Sequence, residues 1–330
     1  MPRGILFFLV CLIFFSPQIV AAHEVYVLAP QEVKISLEQI SPNPFNALTT
    51  NYNQFLVAAF LITLVGLLAH FLSGWLARFF FLVKLENRVK RWAPVLIQLT
   101  LLGSLLSCVY YNALFGPELP LEKIFGSSAL LARALLLGCA VTLILGKYVR
   151  LGILLFILLF VCSLIFAPTF ALAYMVYLGG ALAVLLHGPY FGLLKPSNPE
   201  EQGKEFLIIR IALGCSLLYS AFFAKFLHSQ LAIETINKFE LTKFFPFDPL
   251  FVVLGAFLVE SLIGLCLIFG YQIRLVSFVF IIFLTVSILF FQEAAWPHFI
   301  LFGTALTLLF HGYDKYTARR LISKTEDPVL

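Results

Sequence analysis

Nine stretches of nearly unbroken apolar sequence, near residues 55–77, 93–115, 127–146, 148–168, 170–188, 206–227, 250–270, 273–292 and 296–313, limit what this chain can fold into. Each is about long enough for a helix rising 1.5 Å per residue to cross a hydrocarbon layer of about 30 Å. Lipid gives a bare backbone no hydrogen-bonding partner, so a crossing segment closes its own hydrogen bonds as a helix. The rest of the chain agrees. It is 61% hydrophobic and 12% charged with a mean hydropathy of +0.99, too little polar surface to cover a water-soluble globule of 330 residues. The 37 Phe and 3 Trp predict an aromatic as well as aliphatic lipid face. No basic stripe points to nucleic acid.

Residues 1–22 read as a cleavable signal peptide: Arg3, the apolar run ILFFLVCLIFF, Pro17, and VAA before His23. The alternative is an uncleaved first span. Cleavage would leave His23 at the new N-terminus, where amine and ring together can chelate copper, although residues 24–54 hold no second His. That segment is expected to be a short β-like extracytoplasmic strand on the outer face of the bundle. With the mature N-terminus outside, the segments expected inside carry fourteen Lys and Arg: Arg78, Lys84, Arg88, Lys90, Arg91, Lys147, Arg150, Lys195, Lys204, Arg274, Lys315, Arg319, Arg320 and Lys324. The outer segments carry four, Lys34, Lys123, Lys238 and Lys243. This bias follows the positive-inside rule, supports the signal peptide and the odd number of spans, and predicts a cytoplasmic C-terminus.

One helix is written twice. GKYVRLGILLFILLFVCSLIF at 146–166 recurs 124 residues later as GYQIRLVSFVFIIFLTVSILF at 270–290, and GGALAVLLHG at 179–188 recurs as GTALTLLFHG at 303–312, placing His187 on His311. Further back, 102–115 lies on 213–227 at an offset near 112, the difference being a longer loop at 228–249. The reading is a duplicated four-helix unit, its copies related by an axis along the membrane normal. Gly103, Gly138, Gly179, Gly180, Gly214, Gly255 and Gly264 are expected to let helices approach closely.

An ionisable group at mid-bilayer costs about 2.5–3.5 kcal/mol on insertion scales, so it is a functional candidate by default. Glu260 is the deepest, on the order of 15 Å from either end of its run at 1.5 Å per residue. Arg210, near the inner end of its helix, and Lys225, near the outer end, are placed to snorkel. Arg133 is the first unit's only intramembrane charge. Either Arg133, across the seam, or Lys225 can serve as the partner that keeps Glu260 ionised.

Four histidines are secondary candidates. His187 and His311 stand before Gly at the inner mouth, His298 lies in QEAAWPH near Glu293 at the outer mouth, and His70 is deep in the extra helix. An outer metal site drawing on His298, Glu293, His228 and Asp248 is conceivable but has no supporting spacing. The six cysteines all lie in apolar runs without a CxxC pair, and read as packing residues.

Arg210 in RIALG, Lys225 at the end of the same helix, then Glu260 ten residues before Gly270-x-x-x-Arg274 form a pattern that resembles the DoxX/DoxD family of four-helix bacterial membrane proteins. The resemblance covers about 206–313, and 93–188 as a degenerate copy in which Lys225 falls on Ala113. Phe222 stands where the family usually has Gly. The resemblance implies a membrane subunit associated with electron transfer, in some members part of a thiosulfate:quinone oxidoreductase, in others a partner in redox or thiol homeostasis, with a quinone as the implied cofactor.

Taken together, the expectation is an all-α integral membrane protein: signal peptide 1–22, extracytoplasmic segment 23–54, first transmembrane helix and basic inner loop 55–92, four-helix unit 93–188, inner linker 189–205, DoxX-like four-helix unit 206–313 and basic tail 314–330. Its expected role is the membrane subunit of a quinone-linked or redox-homeostasis complex with a redox or periplasmic protein partner. The alternatives are a proton-coupled small-molecule or ion transporter and a non-catalytic assembly partner.

Overall fold

The computed structural model describes residues 28, 30–76, 90, 92–187, 202–244, 246–291, 293–312 and 316–317, and within them the side chains of 30, 69–70, 72–76, 187 and 202 are not described. The expected signal peptide, the candidate copper ligand His23, the bulk of the basic loop, linker and tail, and the side chains of His70 and His187 therefore lie outside the described residues.

All the regular structure described is helical: α1 (Pro30–Glu38), α2 (Leu48–Leu76), α3 (Ala93–Tyr111), α4 (Ala129–Leu145), α5 (Val149–Phe166), α6 (Met175–His187), α7 (Gln202–Ala221), α8 (Ser229–Lys238), α9 (Pro249–Phe269), α10 (Ile273–Phe291) and α11 (Ala295–His311). Among the described residues, eight helical segments are long and apolar enough to cross a membrane; α11 is apolar but shorter, at 17 residues. Apolar helices of this kind belong in a lipid bilayer.

The described residues of the segment 24–54, where a strand was expected, form none. Pro30 opens α1 with Glu32 in its first turn, a favourable helix start, and a 3-10 turn at Pro44–Ala47, capped by the Asn43 side chain, leads into α2. Local start signals outweighed the β-branched residues.

Helix ends follow the chain's glycines. Gly146 and Gly270 close α4 and α9 in the left-handed region, with φ of 65° and 70°. Tight turns then return the chain antiparallel, so α4 and α5 pair, and α9 and α10 begin as a pair from Gly270.

Helices α3–α6 and α7, α9, α10 and α11 form two quartets, each running up and down. They meet reciprocally: α3 lies along α11, and α6 along α7. Small residues set this closeness. A Cβ on Gly103 would fall 2.3 Å from the Phe299 ring, one on Gly303 1.9 Å from the Thr100 hydroxyl, and one on Gly179 2.2 Å from Ala212. Inside the second quartet Gly214 and Gly264 bring α7 and α9 almost backbone to backbone, a Cβ on Gly214 reaching 2.6 Å from the Gly264 carbonyl. Gly138 and Gly255, expected to do the same, face open space.

The N-terminal segment rests on the second quartet. Leu28 and Val33 pack on Leu231 of α8, Lys238 pairs with Glu32 at 2.9 Å, the Ser229 hydroxyl donates to the Pro42 carbonyl, and Phe45 packs edge-on against Phe226 and Phe257. Together α1 and the amphipathic α8 roof one end of that quartet. No residue of α2 from Leu48 to Leu68 is buried.

Candidate functional site

Beneath this roof the second quartet is hollow. A cavity of about 670 Å³ opens between α7, α8, α9, α10 and α11, its wall largely aliphatic and phenyl. Val252, Val253 and Ala256 of α9 and Phe283, Val286 and Phe290 of α10 are among the residues that line it.

Glu260 projects into the cavity because it belongs to the inward stripe of α9, at helical spacing with Val253, Ile263, Gly264 and Leu267. Asp248 starts that helix, accepting from the Leu250 amide at 2.7 Å ahead of Pro249. Lys225 reaches the same space by a different device. After Ala221 the chain widens into a π-helical turn, Phe222–Leu227, whose end is marked by the His228 amide bonding to the Phe223 carbonyl at 3.0 Å. The wide turn faces Lys225 inward, so it does not snorkel. Its Nζ lies 3.1 Å from Glu260 Oε2, with side chains 6% and 11% exposed.

Arg133 is therefore not the partner. It sits exposed on the first quartet, and its Nε donates to the Val109 carbonyl at 2.9 Å. The intervening core of α3 and α11 keeps the two apart.

The second polar station is at the roof end. The chain leaves α10 with the Glu293 amide bonded to the Ile288 carbonyl, which folds the acid back over the cavity. Its Oε1 accepts from the Ser287 hydroxyl at 3.1 Å, and its Oε2 lies 3.2 Å from His298 Nε2, both side chains about 5% exposed or less. His298 Nδ1 lies 3.2 Å from the Ala294 carbonyl. His228 and Asp248 do not join this pair, and no group of three potential metal ligands forms among the described residues. Burial lowers the proton affinity of His228.

A small cavity of about 60 Å³ adjoins the large one across Leu217, Ser220 and Leu301, and reaches Glu118 in the loop after α3. Burial pushes the Glu118 carboxyl well above the usual carboxylate range, against the opposing pull of Lys123.

Arg210 and His311 lie at the opposite end, away from the cavity. Arg210 Nη2 donates to the Tyr316 carbonyl at 3.1 Å, and the guanidinium packs where a Cβ on Gly270 would stand. Arg274 occupies the same place beside Gly312. The His311 ring stacks on Phe206, centroids 3.5 Å apart. Of the sequence candidates, the structure brings together Lys225 with Glu260 and adds His298 to the lining of the same cavity; Arg133, Arg210 and His311 stand elsewhere. Ser220, Thr235 and Ser287 complete the polar lining. Only Ser287 had a sequence signal, its match to Ser163.

The arrangement suits a molecule with an apolar body and a hydrogen-bonding head: rings and aliphatic chains hold the first, and an ammonium, two carboxylates and an imidazole meet the second.

Residues 206–293 match the DoxX family model, which covers Arg210, Lys225, Glu260, Arg274 and Glu293 and stops short of His298. The resemblance is thus supported for the second quartet; the match does not extend to the first. Comparison with curated proteins gives no match, and comparison with solved structures gives none.

Proposed function

We propose that the second quartet binds a membrane-dissolved small molecule of the quinone class, and that the chain is the membrane subunit of a quinone-linked or redox-homeostasis complex. The observation that carries this reading is the cavity of about 670 Å³ with Lys225 and Glu260 paired in its wall. Its volume lies within the range of roughly 300–1,000 Å³ usual for small-molecule sites. The DoxX match over the lining helices supports the redox association.

Trp296, buried in α11 and stacked on Tyr111, stands two residues from His298 and supplies a reporter. A short-chain benzoquinone titrated into the purified protein should quench tryptophan fluorescence saturably, and Ala256→Phe, which fills the cavity, should abolish the saturable part. Quenching that is linear in both proteins would end the quinone reading.

Transport is the second reading, favoured by two acid–base pairs in the lining of one cavity. In proteoliposomes it requires uptake that follows the proton gradient and disappears in Glu260→Gln.

The same proposal places the chain in a bacterial inner membrane with the α8 end outside, on the strength of the fourteen basic residues against four. It also derives the quartets from one duplicated four-helix unit, supported by the 124-residue offset and by the reciprocal packing of α3 on α11 and α6 on α7.

A further inference from the structure

We propose that Glu293 and His298 are the proton-exchanging site of the cavity: while they hold their shared proton a ligand carbonyl can take the place of one partner in that hydrogen bond, and when they have lost it they accept from a ligand hydroxyl. For the ligand this rests on the quinone reading above; for the proton it rests on the pair's own geometry.

A backbone carbonyl only accepts, so the contact of His298 Nδ1 with the Ala294 oxygen at 3.2 Å puts a hydrogen on Nδ1. The other ring nitrogen then faces Glu293 Oε2 at 3.2 Å. That contact is attractive only with a proton between the two atoms, held as imidazolium with carboxylate or as imidazole with carboxylic acid. Both forms have zero net charge, which a buried site tolerates. Remove the proton and two lone pairs oppose each other while a net negative charge remains in an apolar wall. The Ser287 hydroxyl, already donating to Oε1, holds the carboxyl in place through the change.

Glu118, on the loop after α3, lines only the adjoining small cavity, which leaves this pair as the exchangeable one in the large cavity. Among residues lining the cavity, α8 and α10 contribute no ionisable side chain, α9 contributes Glu260, and the π-helical turn contributes Lys225, each paired with the other. On α3, Tyr111 lies against the Trp296 ring and is not part of the lining. Glu293 also sits at the roof end, just past the end of α10.

The ligand chemistry follows from this switch. A site that alternates between donor and acceptor matches a molecule that alternates between acceptor and donor, as a quinone does on becoming a quinol. The step assigned here moves one proton between Oε2 or Nε2 and the medium; no electron moves in it.

Two measurements on the full-length protein in detergent test this. The first is an infrared pH titration without ligand. It should show one linked carboxyl and imidazole step, absent from both Glu293→Gln and His298→Asn and retained in Glu260→Gln; a step surviving in both variants overturns the proposal. Should Glu293→Gln fail to fold, Ser287→Ala should shift the step upward, since the hydroxyl favours the charged carboxylate; an unmoved step counts against it.

The second is the affinity of the oxidised short-chain benzoquinone against pH. Above the step it should fall about tenfold per pH unit in the parent protein, and should be flat in His298→Asn. An unchanged slope in that variant with binding intact overturns the proposal. A parent protein that shows the infrared step but binds no quinone keeps the proton site and removes the ligand class.

Discussion

The two quartets share a plan and differ in what fills them. In the first, Phe115 packs on Phe156, Phe160, Tyr174 and Tyr177 with centroids 4.6–5.9 Å apart, sealed by Leu136. Moving 124 residues along, Phe156 remains an aromatic as Phe280, but Phe160 becomes Leu284, Tyr174 becomes His298, Tyr177 becomes Leu301 and Leu136 becomes Glu260. At the offset of 112, Phe115 becomes Leu227 and Ala113 becomes Lys225. Rings that lock one bundle are trimmed in the other, and the space is lined with charge. Stability alone explains the first interior; it does not explain the second, because burying ions in place of rings costs desolvation.

The comparison can be broken most forcefully by exchanging one residue. Leu136→Glu puts an acid into the ring-filled core without a facing lysine, and should cost more than about 4 kcal/mol, read as loss of folded protein after detergent extraction. Glu260→Leu should be milder, about 3–5 kcal/mol, because Lys225 loses its partner; adding Lys225→Met should recover most of that loss in a denaturation cycle. Phe156→Ala should cost about 3–5 kcal/mol, and Phe280→Ala about half as much, since the second site already borders a void and fewer contacts are lost. The smallest effect belongs to the loop of the first quartet. Glu118 has a raised pKa in the folded state, so the native protein binds its proton more tightly than the unfolded chain does, and stability falls as pH rises above the unfolded value. Glu118→Gln should raise the apparent unfolding temperature at alkaline pH and leave it unchanged in acid, where both states are protonated.

Much of this architecture was legible from the length and hydropathy of the apolar runs. The helices, their tight turns at Gly146 and Gly270, and the depth of Glu260 follow from hydropathy and spacing, because lipid allows few solutions. The identity of its partner was not, since Arg133 and Lys225 both lay within plausible reach. The choice was made by a local change of helical pitch at 222–227 that no residue type announces. The helix α1 was missed because its start signals are short and its residues are mixed in propensity. The cavity was invisible because hollowness depends on how far α9 and α10 diverge, a property of tertiary packing rather than of either segment. Glu293 with His298 was legible as a neighbourhood, and Ser287 as its third member was not.

The widened turn before His228 has a consequence for how this protein can change over time. It stores one residue beyond what an α-helix requires, so deleting a single amino acid between Phe222 and Leu227 would rewind the segment and rotate the lysine by about 100° toward the acyl chains. Every residue type would survive such an event while the buried cation vanished from the pocket. The address of that charge is kept in the length of the chain, and a relative one residue shorter there would have lost it without any substitution.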